Sequence, residues 1–391
     1  MSTLTGNWNY PTAIRFGAGR IDELAAACRS VGIERPLLVT DRGLAALPIV
    51  TDALKKNTED GLPTQIFADV QGNPIGQNVE DGVRCYHANG NDGVIAMGGG
   101  SALDVGKAIA LMAGQSRPLW DFEDREDWWT RVDPDGVAPI VAVPTTSGTG
   151  SEVGRASVIT DTSDHTKKII FHPKMLPALV IADPALTTGL PPHLTAWTGI
   201  DALSHNLEAW CSPLFHPMAD GIALEGMQLI QRALPQAVKH GEDLVARAEM
   251  MIASTMGATA FQKGLGGMHA IAHPIGATLN THHGRTNGVL MPYVLMYNRS
   301  VLKSRLSDAA RYLGLDPTFE GFLNWILELR AEIGVPHTLA ELGVEQKHVD
   351  MLAPLAAADP SAGTNPKPLS VPDLRRVIAA AVSGDLDGAA G

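Results

Sequence analysis

Residues 92–114 read DGVIAMGGGSALDVGKAIALMAG, an apolar run, three glycines and then an apolar helical repeat. Val94 to Met97 predict a short buried strand, Gly98, Gly99 and Gly100 the turn, and the segment from Ser101 onward a helix. Missing side chains let phosphate oxygens approach the backbone N–H groups, and a helix N-terminus adds partial positive charge. The dinucleotide fingerprint G-x-G-x-x-G, counted from Gly98, requires glycine at position 103, where Leu103 stands. This is therefore a different glycine loop. The same glycines would serve a plain turn, and the strand-to-helix setting favours the phosphate reading.

Working outward, similar Val-, Ile- and Leu-rich runs occur at 36–41 (PLLVTD), 139–146 (PIVAVPTT) and 178–184 (ALVIADP), alternating with helical patterns. Continuous apolar strands separated by helices predict a parallel sheet covered on both faces. From about residue 190 apolar residues recur at spacings of three and four, which predicts an all-α half. The expected organisation is an α/β dinucleotide-binding domain over 1–188 and a helical domain over 189–391, with the active site in the cleft between them. The C-terminal SGDLDGAAG is expected to fray, and LWDFEDREDWWTR (119–131) to be a surface loop.

Two further polar loops follow strand-like runs. Asp41, ending PLLVTD, is placed like the acid that accepts ribose hydroxyls and repels a 2'-phosphate, although Asp41-Arg42-Gly43 also reads as a turn and Arg42 could accommodate that phosphate. The hydroxyls and glycines of residues 144–152 (PTTSGTGSE) suit either a cofactor or a helix cap.

The helical half concentrates metal-ligand side chains. Asp201 and His205 lie four residues apart, so they share one helix face. His269, His273 and His283 follow in a second stretch, where Pro274 argues against an ordinary uninterrupted surface helix. Thirteen histidines make some close pairs inevitable, and any single pair supplies too few ligands. Two such stretches supply enough. One carboxylate with several imidazoles suits Zn, Fe(II), Co, Ni or Mn, and lacks the thiolates of structural zinc sites.

Composition narrows the class. A chain of 391 residues, 45% hydrophobic and 18% charged, can bury a large core. A net charge of -12 without any Lys/Arg-rich run disfavours nucleic-acid and anionic-membrane partners. Three cysteines without CxxC spacing indicate neither a disulfide framework nor a thiolate site, and fit a reducing cytoplasm. The start has no export-signal pattern, and no apolar run is long enough for a membrane span.

GGGSALDVGKA, PTTSGTGSEV, TGIDALSHNLEAW and GMHAIAHPIGATLNTHHGRTN, in this order and covering most of the chain, resemble the iron-containing (group III) alcohol dehydrogenase family. The resemblance implies an N-terminal α/β domain joined to an all-α domain, the fold shared with dehydroquinate synthase. It implies Asp201, His205, His269 and His283 as metal ligands, with His282 competing for the last place, and His273 as the unligated catalytic histidine. It implies a cofactor set of Asp41, Asn73, Gly98, Gly99, Gly100, Ser101, Ala102, Leu103, Asp104, Thr145, Thr146 and Lys167. The implied activity is interconversion of a small alcohol and its aldehyde or ketone with NAD and Fe(II), or Zn, in a homodimer or larger homo-oligomer. A hydroxyacid-oxoacid transhydrogenase and a dehydroquinate synthase-like lyase are the alternatives. Gly154, Arg155 and Ala156 depart from the pattern of small-diol enzymes, and Arg155 suggests a carboxylate on the substrate unless Glu152 or Asp161 pairs with it.

Overall fold

The computed structural model describes residues 6–8, 12–164 and 166–390. The expected lack of an export signal rests in part on residues outside these. The described chain divides into two compact units, Met1–Thr146 with Gly150–Gly189, and Ser147–Thr149 with Leu190–Gly391.

The first unit runs β1 (Gly6–Trp8), β2 (Ala13–Phe16), α1 (Leu24–Ser30), β3 (Pro36–Asp41), α2 (Pro48–Glu59), β4 (Gln65–Val70), α3 (Gly76–Ala88), β5 (Gly93–Gly98) and α4 (Gly100–Met112). It continues with β6 (Ile140–Pro144), β7 (Ala156–Asp161), β8 (Thr166–Phe171) and β9 (Leu179–Ala182). Among the described residues one sheet holds seven strands in the order β1-β2-β9-β6-β5-β3-β4. All its pairings are parallel except β1 with β2. Every residue of β5 and β6 is buried, as strands covered on both faces require. On one face Ile95, Met97, Val141 and Val143 pack with Leu24, Cys28 and Val50 of α1 and α2. On the other, α4 lies along β5, β3 and β6.

Two features here differ from the sequence reading. β7 and β8 form a separate antiparallel hairpin, tied to the loop after β4 by Thr160 N–H donating to the Pro74 carbonyl at 2.7 Å. Residues 119–131 are not a simple surface loop. Leu119 and Phe122 are buried, Trp120 lies against Gly76, and Asp124 N–H donates to Ile169 of β8 at 2.7 Å. Leu119 and Phe122 find a core to join, while Trp129 and most of the acids stay outside.

The second unit is helical: α5 (Pro192–Cys211), α6 (Pro217–Lys239), α7 (Leu244–Ala260), α8 (Gly267–Leu279), α9 (His283–Tyr312), α10 (Phe319–Glu332), α11 (Val349–Ala358) and α12 (Val371–Ser383). α5 is the hub, packed by α6, α7 and α9 and buried continuously from Gly199 to Cys211. A helix apolar nearly all round must be internal, so any polar group it carries needs a partner there. α8 runs unbroken through Pro274 in its interior and is buried rather than surface-lying; packing on α9 and α11 offsets the lost hydrogen bond. The C-terminal tail is packed, not frayed: Gly384 ends α12 in a left-handed turn, and Leu386 and fully buried Ala389 join the core. No helix among the described residues is long and apolar enough to cross a membrane.

Cys28, Cys85 and Cys211 are free thiols. Burial pushes Cys28 and Cys211 up to about 12, leaving them protonated and inert.

Candidate functional site

In the second unit, α5 presents Asp201, His205 and Glu208 on successive turns, α8 presents His269 and His273 one turn apart, and α9 begins with His283. Asp201, His205 and His269, all buried, bring their ligand atoms within 4.8 Å of one another. His283 Nε2 stands 3.7 Å from Asp201 Oδ1. Gly284 permits this approach: a Cβ there would overlap the Trp197 carbonyl and stand 2.8 Å from Asp201 Cβ. The rings of His205 and His269 stack at 4.8 Å, and His269 and His283 lie 5.2 Å apart. His282 is turned to other work, with its Nδ1 accepting from Arg285 N–H and its ring against Trp197.

Glu208, which the sequence reading passed over, buttresses the cluster. Its carboxylate accepts from Gly266 N–H at 2.9 Å and Met268 N–H at 2.7 Å, and lies 2.7 Å from His269 Nδ1. A proton held on Nδ1 by Glu208 leaves the Nε2 lone pair directed at the cluster, the arrangement that orients metal-binding histidines. Burial depresses the pKa of His269, and the Glu208 hydrogen bond together with the charges of Glu208, Asp201 and Asp359 outweighs it, so the net direction is upward. Burial instead pushes His205 down to about 4, so its ring is neutral and able to ligate at neutral pH. His205 Nδ1 is buried and reaches no hydrogen bond of ordinary geometry, although the Gly148 backbone lies close enough to favour a proton on the ring. Buried donors of this number and chemistry fit a divalent first-row ion.

His273 sits at the edge of the cluster, its ring stacked 5.3 Å from that of His283 and its Nδ1 2.8 Å from Asp359 Oδ2. Asp359 is anchored in turn by Ser361 N–H at 2.8 Å. Burial raises the Asp359 pKa, but its contacts with His273 and its hydrogen bonds from Ser361 together more than reverse this, and the carboxyl stays ionised. Asp359 was not visible as a site residue, because Asp-Pro-Ser reads as a helix cap, a role it also fills.

In the first unit the ends of β3, β5 and β6 gather Asp41, the glycines and the threonines. Gly98 has φ +145°, and a Cβ there would stand 2.7 Å from that of Ala102. Gly99 caps α4, whose first amides have no intrahelical acceptor. Thr145 N–H donates to the Gly98 carbonyl at 3.0 Å, and the Thr146 side chain lies against Gly99. Asp41 Oδ1 accepts from Gly43 and Leu44 N–H at 2.8 and 3.0 Å, while Oδ2 faces Gly98. Arg42 turns away to pair with Asp69.

The remaining expected cofactor residues divide. The side chains of Ala102 and Leu103 are buried, so only their backbone can face a ligand, whereas Ser101 is half-buried. The Asp104 carboxylate is engaged by Ser151 Oγ, Val158 N–H and Lys107 Nζ, joining α4 to the loop before β7. Asn73, at φ +52°, accepts from Lys167 Nζ at 2.9 Å, a pair linking the loop after β4 to β8. Arg155 lies over the Phe171 ring and enters no ion pair within 4 Å among the described residues, because Asp161 pairs with Lys168.

Comparison with known proteins agrees with this geometry. Residues 11–184 match the family described as iron-containing alcohol dehydrogenase, and residues 195–382 its C-terminal domain. The chain is 38% identical to the 4-hydroxybutyrate dehydrogenase of Cupriavidus necator, over 94% of this chain and 98% of that one. It is 36% identical to the 1,3-propanediol dehydrogenase of Citrobacter freundii, over 94% and 96%. Among solved structures, a 1,3-propanediol oxidoreductase superposes with TM-score 0.89 at 36% identity, covering 94% of this chain and 97% of that one. The sulfoacetaldehyde reductase of Bifidobacterium kashiwanohense, solved with NAD+, superposes with TM-score 0.87 at 28% identity, covering 96% and 98%. With both of its units matched and relatives of this identity along nearly its whole length, the chain belongs to the iron-containing alcohol dehydrogenase family and is an oxidoreductase acting between alcohols and aldehydes or ketones.

Proposed function

We propose that the chain oxidises a small alcohol reversibly with NAD, using a divalent cation, iron or zinc, held by Asp201, His205, His269 and His283. The observation that carries this reading is the buried convergence of Asp201, His205 and His269 within 4.8 Å, with Glu208 orienting His269 from behind. When bound, the cation polarises the alcohol oxygen and NAD accepts the hydride. The protein's part is to position and to move the proton. Glu208 keeps a proton on His269 Nδ1 and the lone pair on Nε2. Asp359 does the same for His273, leaving His273 Nε2 to take the alcohol proton. The amides at 99–101 would hold the pyrophosphate, and Asp41 Oδ2 would accept from the ribose hydroxyls. Because Arg42 is occupied by Asp69, the charge of Asp41 acts unopposed against a 2'-phosphate, favouring NAD over NADP.

An exposed Arg155 that enters no ion pair within 4 Å among the described residues, with Asp124 as its nearby acid, supports an ω-hydroxy acid as substrate together with the 4-hydroxybutyrate dehydrogenase relative. We also place the enzyme in the cytoplasm as a homo-oligomer, in keeping with its free cysteines. The test is net NADH formation from excess NAD across short alcohols, diols and ω-hydroxy acids. Accumulating NADH supports the dehydrogenase; hydride passing only between a hydroxy acid and an oxo acid would make the chain a transhydrogenase. Arg155→Ala should raise the KM for the hydroxy acid selectively, and an equal change for an uncharged alcohol would remove the carboxylate reading.

A further inference from the structure

Asn287 lies one turn beyond His283 on α9 and is fully buried. Its Nδ2 stands 2.9 Å from Asp201 Oδ1, 3.2 Å from His269 Nε2 and 3.1 Å from His283 Nε2. One amide nitrogen thus touches the ligand atoms offered by three different helices. A carboxylate can only accept, so the bond to Asp201 fixes the nitrogen as donor and directs it into the cluster. At the other end of the amide, Oδ1 is buried without a hydrogen-bond partner, a cost a merely space-filling residue would not carry. The glycines on either side, Gly284 and Gly288, press α9 against α5, which restrains the amide where it is.

We propose that Asn287 is a positioning residue of the metal centre. Its amide gathers Asp201, His269 and His283 into one face of ligands and sets the affinity of the site. This rests on reading those residues, with His205, as a cation site. The donor side of the amide is a neutral stand-in for positive charge: it draws together lone pairs that would otherwise splay, Asp201 above all. His205 needs no such help, because its own position on the rigid α5 sets its place relative to Asp201.

The test uses Co(II), whose visible absorption reports both binding and coordination geometry, titrated into chelator-stripped full-length protein. Asn287→Leu keeps the side chain's branching at Cγ, with methyl groups in place of the amide N and O, and removes the donor. It is expected to weaken Co(II) binding by roughly 10- to 100-fold, the range seen for outer-shell partners of metal ligands, and to change the spectrum. Asn287→Asp puts an anionic oxygen in the same place. It is expected to bind Co(II) at least as tightly as the wild type, while the stripped form melts lower because two carboxylates then face each other. Weakened binding in the Leu variant beside undiminished binding in the Asp variant is the signature of a polar contact to the ligands. A helix-packing role alone would lower both melting temperatures and leave both affinities unchanged, and that result would overturn the proposal, as would weakening by both variants alike. Should the Leu variant not fold, Asn287→Ser, too short to bridge the ligands, carries the same expectation. Wild-type protein that takes up no stoichiometric Co(II) would defeat the site reading itself; stoichiometric uptake with unchanged affinity in the Leu variant would defeat only the role of Asn287.

Discussion

At the scale of single residues, the site depends on groups that hold the reactive ones rather than on the reactive ones alone. Glu208 is buried and satisfied by two backbone N–H groups besides His269. Glu208→Gln should therefore weaken metal binding by roughly 10- to 100-fold, measured by competition with a chromogenic chelator. An unchanged affinity would show that His269 needs no buttress. If His273 moves a proton and does not ligate, as proposed, His273→Ala should lower turnover by about 10²- to 10⁴-fold while one metal per chain is retained. Metal lost along with activity would instead make His273 a ligand. Glu208 and Asn287 were not legible in the sequence, because a polar residue in a helical pattern reads as a solvent face until the helix is known to be buried, and Asp359 was not because it reads as a cap. Asp201, His205 and His269 were legible because ligand types repeated at one-turn spacing in two stretches.

Among the elements, the strands buried on both faces were the readable ones. β3, β5, β6 and β9 are continuous apolar runs, whereas β7 alternates in burial and β8 is half-buried along most of its length and carries Lys167 and Lys168, so their pairing left little trace. That hairpin nevertheless contributes Lys167 to Asn73 and is held by an ion pair whose pH behaviour can be worked out. Hydrogen bonds from Lys168 and then Ser163 hold Asp161 down to about 2. Its folded pKa lies below the unfolded value of about 3.9, so its stabilisation is complete above that value and is lost as pH falls toward 2. Asp161→Asn should accordingly melt below the wild type at neutral pH, with the gap closing at about pH 2; a gap that persists there would assign the effect to something other than this charge. At the glycine turn, φ +145° and the crowding by Ala102 both forbid a side chain at Gly98. Gly98→Ala should raise the Kd for NAD at least tenfold by isothermal titration and leave metal content unchanged. NAD binding equal to wild type would remove the loop from the cofactor site.

For the whole molecule, the change from strand-rich to helical texture near residue 190 was plain in the sequence, and the packed C-terminal tail was not. Ala389 is a single small residue in a polar, glycine-containing end, and nothing in that pattern marks the core pocket it fills. Two compact units, each with its own core, imply that each ligand stabilises chiefly the unit that holds it. A cation at a thousand times its Kd should add about 4 kcal/mol to the helical unit, and NAD should act on the α/β unit. Hydrogen exchange read unit by unit checks this, and protection by both ligands confined to one unit would contradict it. Whether a cation bound by Asp201, His205, His269 and His283 enables NAD-linked alcohol oxidation is tested by stripping the protein with a chelator, reloading it with Fe(II), Zn(II) or nothing, and measuring metal per chain alongside alcohol-dependent NADH formation. Activity should vanish with the metal and return as one cation per chain is restored, and Asp201→Asn and His205→Ala should regain neither. Full activity in metal-free protein, or in either variant, would contradict that role of the cation.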